Sequence, residues 1–231
     1  MKRTVIGITR RPPSEVMLRV ERWDRPTARH SARVASLAAA VAAELGWPRH
    51  DRDAARLGGL LHDVGKVALP PPLLTKRGRL SEEEWTLVRR HPQVGAELLE
   101  ALPGLGAVAA AVAAHHERWD GSGYPLGLAL ERIPPLARLL AVADSYDAMT
   151  SARRFRRAKP PADALSELAA QAGERYDREM VGALLAALRR FGAAGPRPDY
   201  EACLGPVRAS LRTGRLEIGA AFAGGLQPAA G

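Results

Sequence analysis

Six histidines carry most of the chemistry that this sequence could support, and five of them stand beside other reactive residues. His62 is followed directly by Asp63 in the segment HDVGK (62–66), at the end of a predicted helix. Adjacent helical residues point about 100° apart, so the imidazole can bind one metal ion while the carboxylate bridges two. A buried hydrogen bond between His62 and Asp63 would also explain the pair.

A second histidine pair begins the segment HHERWDGSGYP (115–125). His115 and His116 end an alanine-rich predicted helix, where a metal ion could reach both rings, and backbone amides of the glycine-rich loop could cradle a phosphate. Taken singly, His30, His91 and Asp144 are more readily explained as core or capping residues than as metal ligands. His50 lies outside every motif and is predicted to be a surface residue.

Helical periodicity extends from residue 14 to residue 191, and the alternation typical of strands is nearly absent. The sequence therefore predicts an all-α fold, a compact multi-helix bundle. The predicted helices cover 14–22, 27–45 and 48–65, two segments that begin at Ser81 and Pro92, and then 105–116, 134–150, 161–173 and 177–191.

Local signals place the ends of these helices. Thr27 is the predicted N-cap of the second helix, and Gly65 is the predicted C-terminal stop of the third. Ser81 and Glu84 form a capping box, and the three consecutive prolines within 67–79 predict an irregular connection. The glycine-rich segment 120–130 is a predicted loop.

The predicted organisation is a central domain with two flanking segments. Residues 1–26 form an N-terminal extension with one short helix, 27–191 the domain, and 192–231 a Gly-, Ala- and Pro-rich tail. The tail is expected to be weakly structured, with a short strand near Leu216.

Composition excludes several protein classes. A chain of 231 residues with 46% hydrophobic and 26% charged residues suits one globular domain. Its longest apolar stretches, 34–43 and 105–114, fall short of the roughly 20 residues that a membrane span needs, and we identify no export signal. The single cysteine, Cys203, cannot form an internal disulfide or a cysteine-based zinc site, so we expect a cytoplasmic protein.

The net charge of +9, from 34 Lys plus Arg against 25 Asp plus Glu, is carried mainly by arginine. Such a surface favours polyanionic partners, phosphorylated ligands among them, although coding bias or heat adaptation would also enrich arginine. Specific nucleic-acid binding is not expected, because no aromatic residues are interleaved with the basic runs.

Taken together, the motifs resemble the HD-GYP subgroup of the HD-domain metal-dependent phosphohydrolases. The matching elements are His30 at the opening of a helix, HDVGK from His62, HPQVGAELL from His91, HHERWDGSGYP from His115 and ADSYDAMTSARRFR from Ala143. Their order and approximate spacing match over 27–190. The resemblance implies an all-helical fold and phosphodiesterase activity that converts cyclic di-GMP to linear pGpG, with onward hydrolysis to GMP left open.

The resemblance also implies a metal centre with Asp63 as the bridging ligand and His62, Asp63 and Lys66 as its catalytic core. A donor set of histidine and carboxylate without sulfur suits two divalent ions, iron or manganese rather than a structural zinc. The implied ligands are His30, His62, Asp63, His91, His115, His116 and Asp144.

Some family members hold a third metal through a glutamate four residues before the first histidine. That position here is Pro26, which offers no donor atom, and Glu21 and Asp24 stand at the wrong offset. We therefore expect two metals.

Two cations about 3.5–4 Å apart can lower the pKa of a shared water and clamp phosphoryl oxygens for in-line attack. Lys66 is the candidate for contacting a non-bridging oxygen or assisting the leaving 3′-oxygen. Arg153 and Arg156, neighbours on one predicted helical face, would bind substrate phosphates, or else belong to a solvated charge run. Gly123 and Tyr124 would line the guanine or phosphate side.

Asp147, one turn after Asp144, is expected to support the ligands rather than to bind metal. Other readings keep the metals and change the substrate to another cyclic dinucleotide or a nucleotide, or make the chain a catalytically weak dinucleotide-binding module. Family members are often fused to receiver or sensory domains, whereas about 26 residues precede this core and about 40 follow it. We therefore expect regulation through a protein partner, through oligomerisation, or not at all.

Overall fold

The part of the chain that the structure describes is built from α-helices. The computed structural model describes residues 25–76, 78–152, 157–196 and 198, with side chains described from residue 29 onward. The helices are α1 (Arg25–Glu44), α2 (Arg49–Leu61), α3 (Pro71–Thr75), α4 (Glu82–Val88), α5 (His91–Glu100), α6 (Gly106–Ala114), α7 (Pro135–Thr150), α8 (Pro161–Ala170) and α9 (Arg178–Phe191). Short 3₁₀ helices occupy Val64–Ala68 and Leu130–Arg132. Since the described ranges contain no β-strand, the all-α prediction is confirmed.

Helix α7 lies at the centre of the bundle and packs against α1, α2, α6, α8 and α9. Its inward positions are small or aliphatic, and Leu139, Leu140 and Val142 are fully buried. Helix α6 is buried on several sides. Because most of its side chains are alanine, neighbouring helices can approach it closely. The central position of α7 places Asp144 near the C-terminal ends of α2 and α6, where His62 and His115 are the C-cap residues.

A glycine sets the distance between α1 and α2. A Cβ atom added at Gly59 would lie 2.6 Å from the Cα of Ala35, so no larger residue fits without a shift of the helices. This close approach places His30 of α1 beside His62 at the end of α2, with ring centroids 5.2 Å apart.

Two predicted helix ends are wrong. Helix α1 begins at Arg25 rather than after Thr27, because Pro26 fits the first helical turn, where a backbone N–H is not required. Helix α2 ends at Leu61, and a 3₁₀ helix continues past Gly65. Gly65 is therefore not a helix stop, and its lack of a side chain answers a packing need described below.

The prolines within 67–79 open a helix instead of an irregular connection. Pro70 is the N-cap of α3 and Pro71 its first residue, a position for which the fixed φ of proline is preorganised. The capping box is confirmed, since the Ser81 side chain accepts from the Glu84 amide and the Glu84 carboxylate accepts from the Ser81 amide. Helices α7, α8 and α9 lie within the predicted ranges 134–150, 161–173 and 177–191.

The predicted helix 14–22 and the strand near Leu216 lie outside the described residues, and the division into 1–26, 27–191 and 192–231 stays a prediction. Among the described helices, none combines the length and the apolar character that crossing a membrane requires. The cytoplasmic location likewise stays a prediction.

Candidate metal centre

The seven ligands implied by the sequence motifs lie together in two neighbouring groups. The first group is Asp63, His91, His115 and His116, and the second is His30, His62 and Asp144. Within each group, one ligand atom from every residue lies within 4.8 Å of the others. Residues that are up to 114 positions apart in sequence therefore meet at a single place in the fold.

Asp63 faces both groups. Its Oδ2 lies 3.3 Å from Nε2 of His62 in the second group, and its Oδ1 lies 3.3 Å from Nε2 of His91 in the first. The side chain is buried at the start of the 3₁₀ helix, where the chain turns away from α2. One carboxylate oxygen is thus directed to each group, which is the placement that a bridging ligand needs.

Three histidine rings are oriented in the same way by their own helices. Nδ1 of His62 donates to the carbonyl oxygen of Gly59 at 2.8 Å, and His91 and His115 donate to the carbonyls of the third preceding residues, both at 2.7 Å. Because Nδ1 is a donor in each ring, the neutral imidazole carries its lone pair at Nε2. These Nε2 atoms face inward, toward the two groups.

The buried Nε2 atoms test whether a metal fits here. Nε2 of His62 is buried and makes no hydrogen bond with any described residue. Nε2 of His91 and Nε2 of His115 lie 3.4 Å apart, although both rings already donate through Nδ1. Two facing lone pairs cannot bond to each other, whereas a shared cation would satisfy both. The donor set therefore fits a metal ion.

Asp147 holds His30 in place from outside the two groups. Its Oδ2 accepts from Nδ1 of His30 at 2.7 Å, so Nε2 of His30 faces Oδ1 of Asp144, 3.2 Å away. Asp147 is itself fixed by two hydrogen bonds from the guanidinium of Arg33, at 2.5 and 3.0 Å. It occupies the supporting position that the sequence predicts for it.

The charges of the site favour ligation of a cation at neutral pH. Burial alone would raise the pKa of Asp63, but the charge of Lys66 and contacts with His62 hold it well below its usual range. The pKa of Asp144 is also held low, because hydrogen bonding and the charge of His30 outweigh the effect of burial. Burial lowers the pKa of His115, and it lowers that of His116 to about 3, so both rings are neutral.

His30 differs from the other histidines. Burial lowers its pKa, but hydrogen bonds to Asp144 and Asp147 outweigh this effect and raise the pKa to about 9. The ionised carboxylates face positive charge from His30, Lys66 and Arg33, and a metal ion bound at Nε2 of His30 would take the place of the proton on that atom.

Lys66 contacts the centre directly. Its Nζ donates to Oδ2 of Asp63 at 2.5 Å, and the side chain is half-buried. The preceding residue explains how the 3₁₀ helix approaches α5 so closely. A Cβ atom at Gly65 would lie 1.9 Å from the carbonyl oxygen of His91, so only glycine fits.

The loop after His116 is held by a buried carboxylate. Glu117 accepts from the amides of Leu126 and Leu128, at 2.6 and 3.1 Å. Gly123 packs against the backbone of Glu117, where an added Cβ would lie 2.4 Å from the Glu117 Cα. Tyr124 then lies against the His116 ring, with centroids 4.8 Å apart.

A pocket of about 390 Å³ opens beside the centre and includes His115, His116 and Asp144 in its wall. Tyr124 lines this pocket as the sequence predicts, whereas Gly123 is not among the lining residues. The remaining lining residues are Trp85, Arg89, Glu117, Arg118, Ser122, Ala141, Ser145 and Tyr176.

Sequence reasoning missed Arg33, Glu117 and Arg89 as residues of the site. Glu117 lies inside the motif HHERWDGSGYP and follows His116 directly, so the sequence contains a signal for it, whereas Arg89 precedes the motif that begins at His91. Arg153 and Arg156 lie outside the described residues. His50 lies outside both ligand groups and is half-buried beside Asp51 rather than fully exposed.

Comparison with known proteins decides the family. A family model described as HD domain matches residues 17–180 of the chain. The chain belongs to the HD-domain family. Family membership agrees with the all-helical fold and with the cluster of histidine and carboxylate side chains, which is able to hold metal.

Curated relatives match about three quarters of the chain. The cyclic di-GMP phosphodiesterase PA4108 of Pseudomonas aeruginosa is 42% identical over 173 residues, which cover 74% of this chain and 42% of that protein. The cyclic di-GMP phosphodiesterase of Thermotoga maritima is 38% identical over 164 residues, covering 70% of this chain and 45% of the relative. The resemblance to the HD-GYP subgroup is confirmed. The chain spans less than half of the length of these relatives.

Solved structures support the HD-domain fold. Bd1817, an HDG"Y"P protein from Bdellovibrio bacteriovorus, superimposes with a TM-score of 0.56 at 26% identity, covering 71% of this chain and 52% of that protein. The HD domain of the Listeria monocytogenes phosphodiesterase PgpH superimposes with a TM-score of 0.54 at 20% identity, covering 77% of this chain and 97% of the domain. At this identity the second match speaks for the fold alone.

Proposed function

We propose that this chain is a metal-dependent phosphodiesterase that hydrolyses cyclic di-GMP. The observation that carries the proposal is the pair of ligand groups with one oxygen of Asp63 directed to each. Relatives named cyclic di-GMP phosphodiesterases match 70–74% of the chain at about 40% identity, which supports the choice of substrate. We assign this activity to residues 27–191.

The proposed cofactors are two divalent cations. The ligands of one would be His30, His62 and Asp144, those of the other His91, His115 and His116, with Asp63 shared. Such a pair supplies Lewis acidity to the phosphoryl oxygens and lowers the pKa of the attacking water. Imidazole and carboxylate donors suit iron or manganese.

The protein's own residues orient the substrate and balance its charge. The backbone carbonyls that accept from Nδ1 of His62, His91 and His115 keep each Nε2 directed inward without a change of rotamer. Lys66, fixed beside Asp63, places a positive charge where negative charge develops on the phosphoryl oxygens. The scissile phosphate would enter through the pocket, along the wall formed by His116 and Asp144.

Tyr124 would then line the substrate side of the pocket, since its ring packs directly on His116. Gly123 would contribute by allowing the tight turn that presents Tyr124. Arg153 and Arg156 remain proposed contacts for substrate phosphates.

A second substrate is favoured by one comparison. The 3′3′-cGAMP-specific phosphodiesterase 2 of Vibrio cholerae is 38% identical over 168 residues, covering 72% of this chain and 32% of that protein. Both substrates are cyclic dinucleotides with the same phosphodiester chemistry. The metal centre therefore suits either, and the pocket must decide between them.

The test is hydrolysis by protein loaded with iron or with manganese. Cyclic di-GMP and 3′3′-cGAMP are incubated separately, and the products are followed by chromatography, with Asp63→Ala as the inactive control. We expect linear pGpG from cyclic di-GMP with a higher kcat/KM than for 3′3′-cGAMP. Binding of both compounds without turnover would overturn the proposal in favour of a binding module.

A further inference from the structure

A row of aromatic and cationic side chains leads from the metal centre to the surface along one wall of the pocket. The Tyr124 ring packs against His116 with centroids 4.8 Å apart. The guanidinium carbon of Arg89 lies 5.7 Å from the centroid of the Tyr124 ring and 5.9 Å from that of Trp85. All four residues line the same pocket.

The outer two members of this row are available to a ligand. Arg89 is exposed, and its guanidinium forms no ion pair with a carboxylate among the described residues. Trp85 is 41% exposed although it is a large apolar side chain. Trp85 lies on α4 and Arg89 is the C-cap of that helix, so the helix fixes the spacing between the two.

A cyclic dinucleotide presents two phosphates and two bases, of which the metal centre engages one phosphate. The unit that is not attacked must contact the wall of the pocket beyond His116. An exposed indole offers a surface on which a purine can stack, and stacking of this kind tolerates any base. A guanidinium donates two parallel hydrogen bonds to a pair of acceptor atoms, as in a phosphate or in O6 and N7 of guanine.

We propose that Trp85 and Arg89 form the subsite for the nucleotide unit that is not attacked. Trp85 stacks on its base, and Arg89 donates to an acceptor pair of the same unit. The subsite rests on the proposed function and specifies how that site holds its substrate.

The test compares a cyclic dinucleotide with a small diester, using metal-loaded protein. Bis(p-nitrophenyl) phosphate has one phosphate and no purine, so it reports on the metal centre without the subsite. For Trp85→Ala and for Arg89→Ala we expect the KM for cyclic di-GMP to rise about ten-fold or more. We expect kcat to change less than three-fold, and the kcat/KM for the small diester to stay at the level of the unmodified protein.

Two neighbouring substitutions are matched controls. Leu87→Ala removes an exposed apolar side chain of α4, and Arg90→Ala removes one positive charge next to Arg89, and neither residue lines the pocket. Both controls should keep the KM of the unmodified protein, which separates the subsite from general effects of hydrophobicity or charge.

Arg89→Lys identifies the acceptor pair, because lysine keeps the charge and loses the paired donors. A greater rise in KM for cyclic di-GMP than for cyclic di-AMP assigns Arg89 to the guanine edge, and equal rises assign it to the second phosphate. Either result supports the subsite.

Unchanged KM in both alanine variants, with turnover intact, overturns the subsite alone. An equal loss on the small diester overturns it as well, since Trp85 and Arg89 would then act on the metal centre. Absence of cyclic dinucleotide turnover in the unmodified protein overturns the proposed function, and the subsite with it.

Discussion

Asp63 lies between the two neighbouring groups of candidate ligands. Its two oxygens face His62 and His91, which belong to different groups, and Lys66 binds the same carboxylate from the third side. Asp144 lies at 3.2 Å from His30 and at 4.0 Å from His62, both in its own group. A substitution at Asp63 should therefore affect both groups at once.

The first prediction concerns metal content. Asp63→Ala should lower the bound metal from about two ions per chain to one or none and abolish hydrolysis, because a shared ligand serves both ions. Elemental analysis and circular dichroism measure metal and helix content on the same preparation. His50→Ala, a histidine outside both groups, is the matched control and should retain both ions. Two tightly bound ions in the Asp63 variant would contradict the shared role.

The second prediction concerns Lys66. If its charge assists the reacting phosphate, Lys66→Ala should lower kcat and kcat/KM together, about ten-fold or more, with little effect on KM. Steady-state kinetics with cyclic di-GMP measure both constants. Lys76→Ala is the control, because Lys76 pairs with Glu84 away from the centre and loses only a surface ion pair. Equal kinetics in the two variants would return Lys66 to a structural role beside Asp63.

Residue types and their order were enough to select seven candidate ligands that the fold brings together, and Asp147 beside them, but not Arg33, Trp85 or Arg89. His62 and Asp63 are adjacent, so their joint role is readable from the chain. Arg33 reaches Asp147 across 114 positions, and no local pattern encodes such a contact. Arg89 meets Tyr124 only because α4 folds against the loop that follows His116.

At the scale of elements, the site depends on how closely the 3₁₀ helix and α5 approach each other. Lys66 lies in the 3₁₀ helix, and Asp63 is the N-cap residue of that helix. His91 is the first residue of α5. Gly65 is the point of closest contact, because its Cα faces the carbonyl of His91. This contact sets the distance from Asp63 to His91.

The third prediction tests that contact with a pair of glycines. Gly65→Ala should lower the free energy of unfolding by more than about 3 kcal/mol, because the added Cβ forces the two elements apart. Gly182→Ala, in the exposed middle of α9 with no atom near the added Cβ, should raise it by up to about 1 kcal/mol. Urea unfolding of both variants measures the difference. A Gly65 variant as stable as the unmodified protein would show that the 3₁₀ helix is free to shift.

Helix positions were predicted well where a cap or a long periodic segment was present. The capping box at Ser81 and the N-cap Asp177 mark helix starts that the structure contains. The wrong assignments have physical reasons. Gly65 resembles a C-terminal helix stop in the sequence. In the structure a glycine is required there because the chain packs against His91, which is 26 positions further along. The prolines at 70 and 71 were assigned to an irregular segment, although proline also begins helices.

At the scale of the whole molecule, the candidate ligands come from distant parts of the chain. They come from α1, the end of α2, the start of α5, the end of α6 and the middle of α7. An ion that binds these residues therefore joins elements from residue 30 to residue 144. Such a site exists only in the folded chain, so binding energy adds to the free energy of unfolding.

The fourth prediction follows from this coupling. Manganese at a free concentration one hundred times its dissociation constant should add about 2.7 kcal/mol per site to the free energy of unfolding. For a domain of this size, each kcal/mol corresponds to about 2–4 °C in Tm, so one saturated site should raise Tm by about 5–10 °C. Calorimetry with and without EDTA measures the shift. His50→Ala should keep the full shift, whereas Asp63→Ala should lose most of it, because its loss weakens both groups of ligands. A shift that survives in the Asp63 variant would mean that manganese stabilises the fold from some other site.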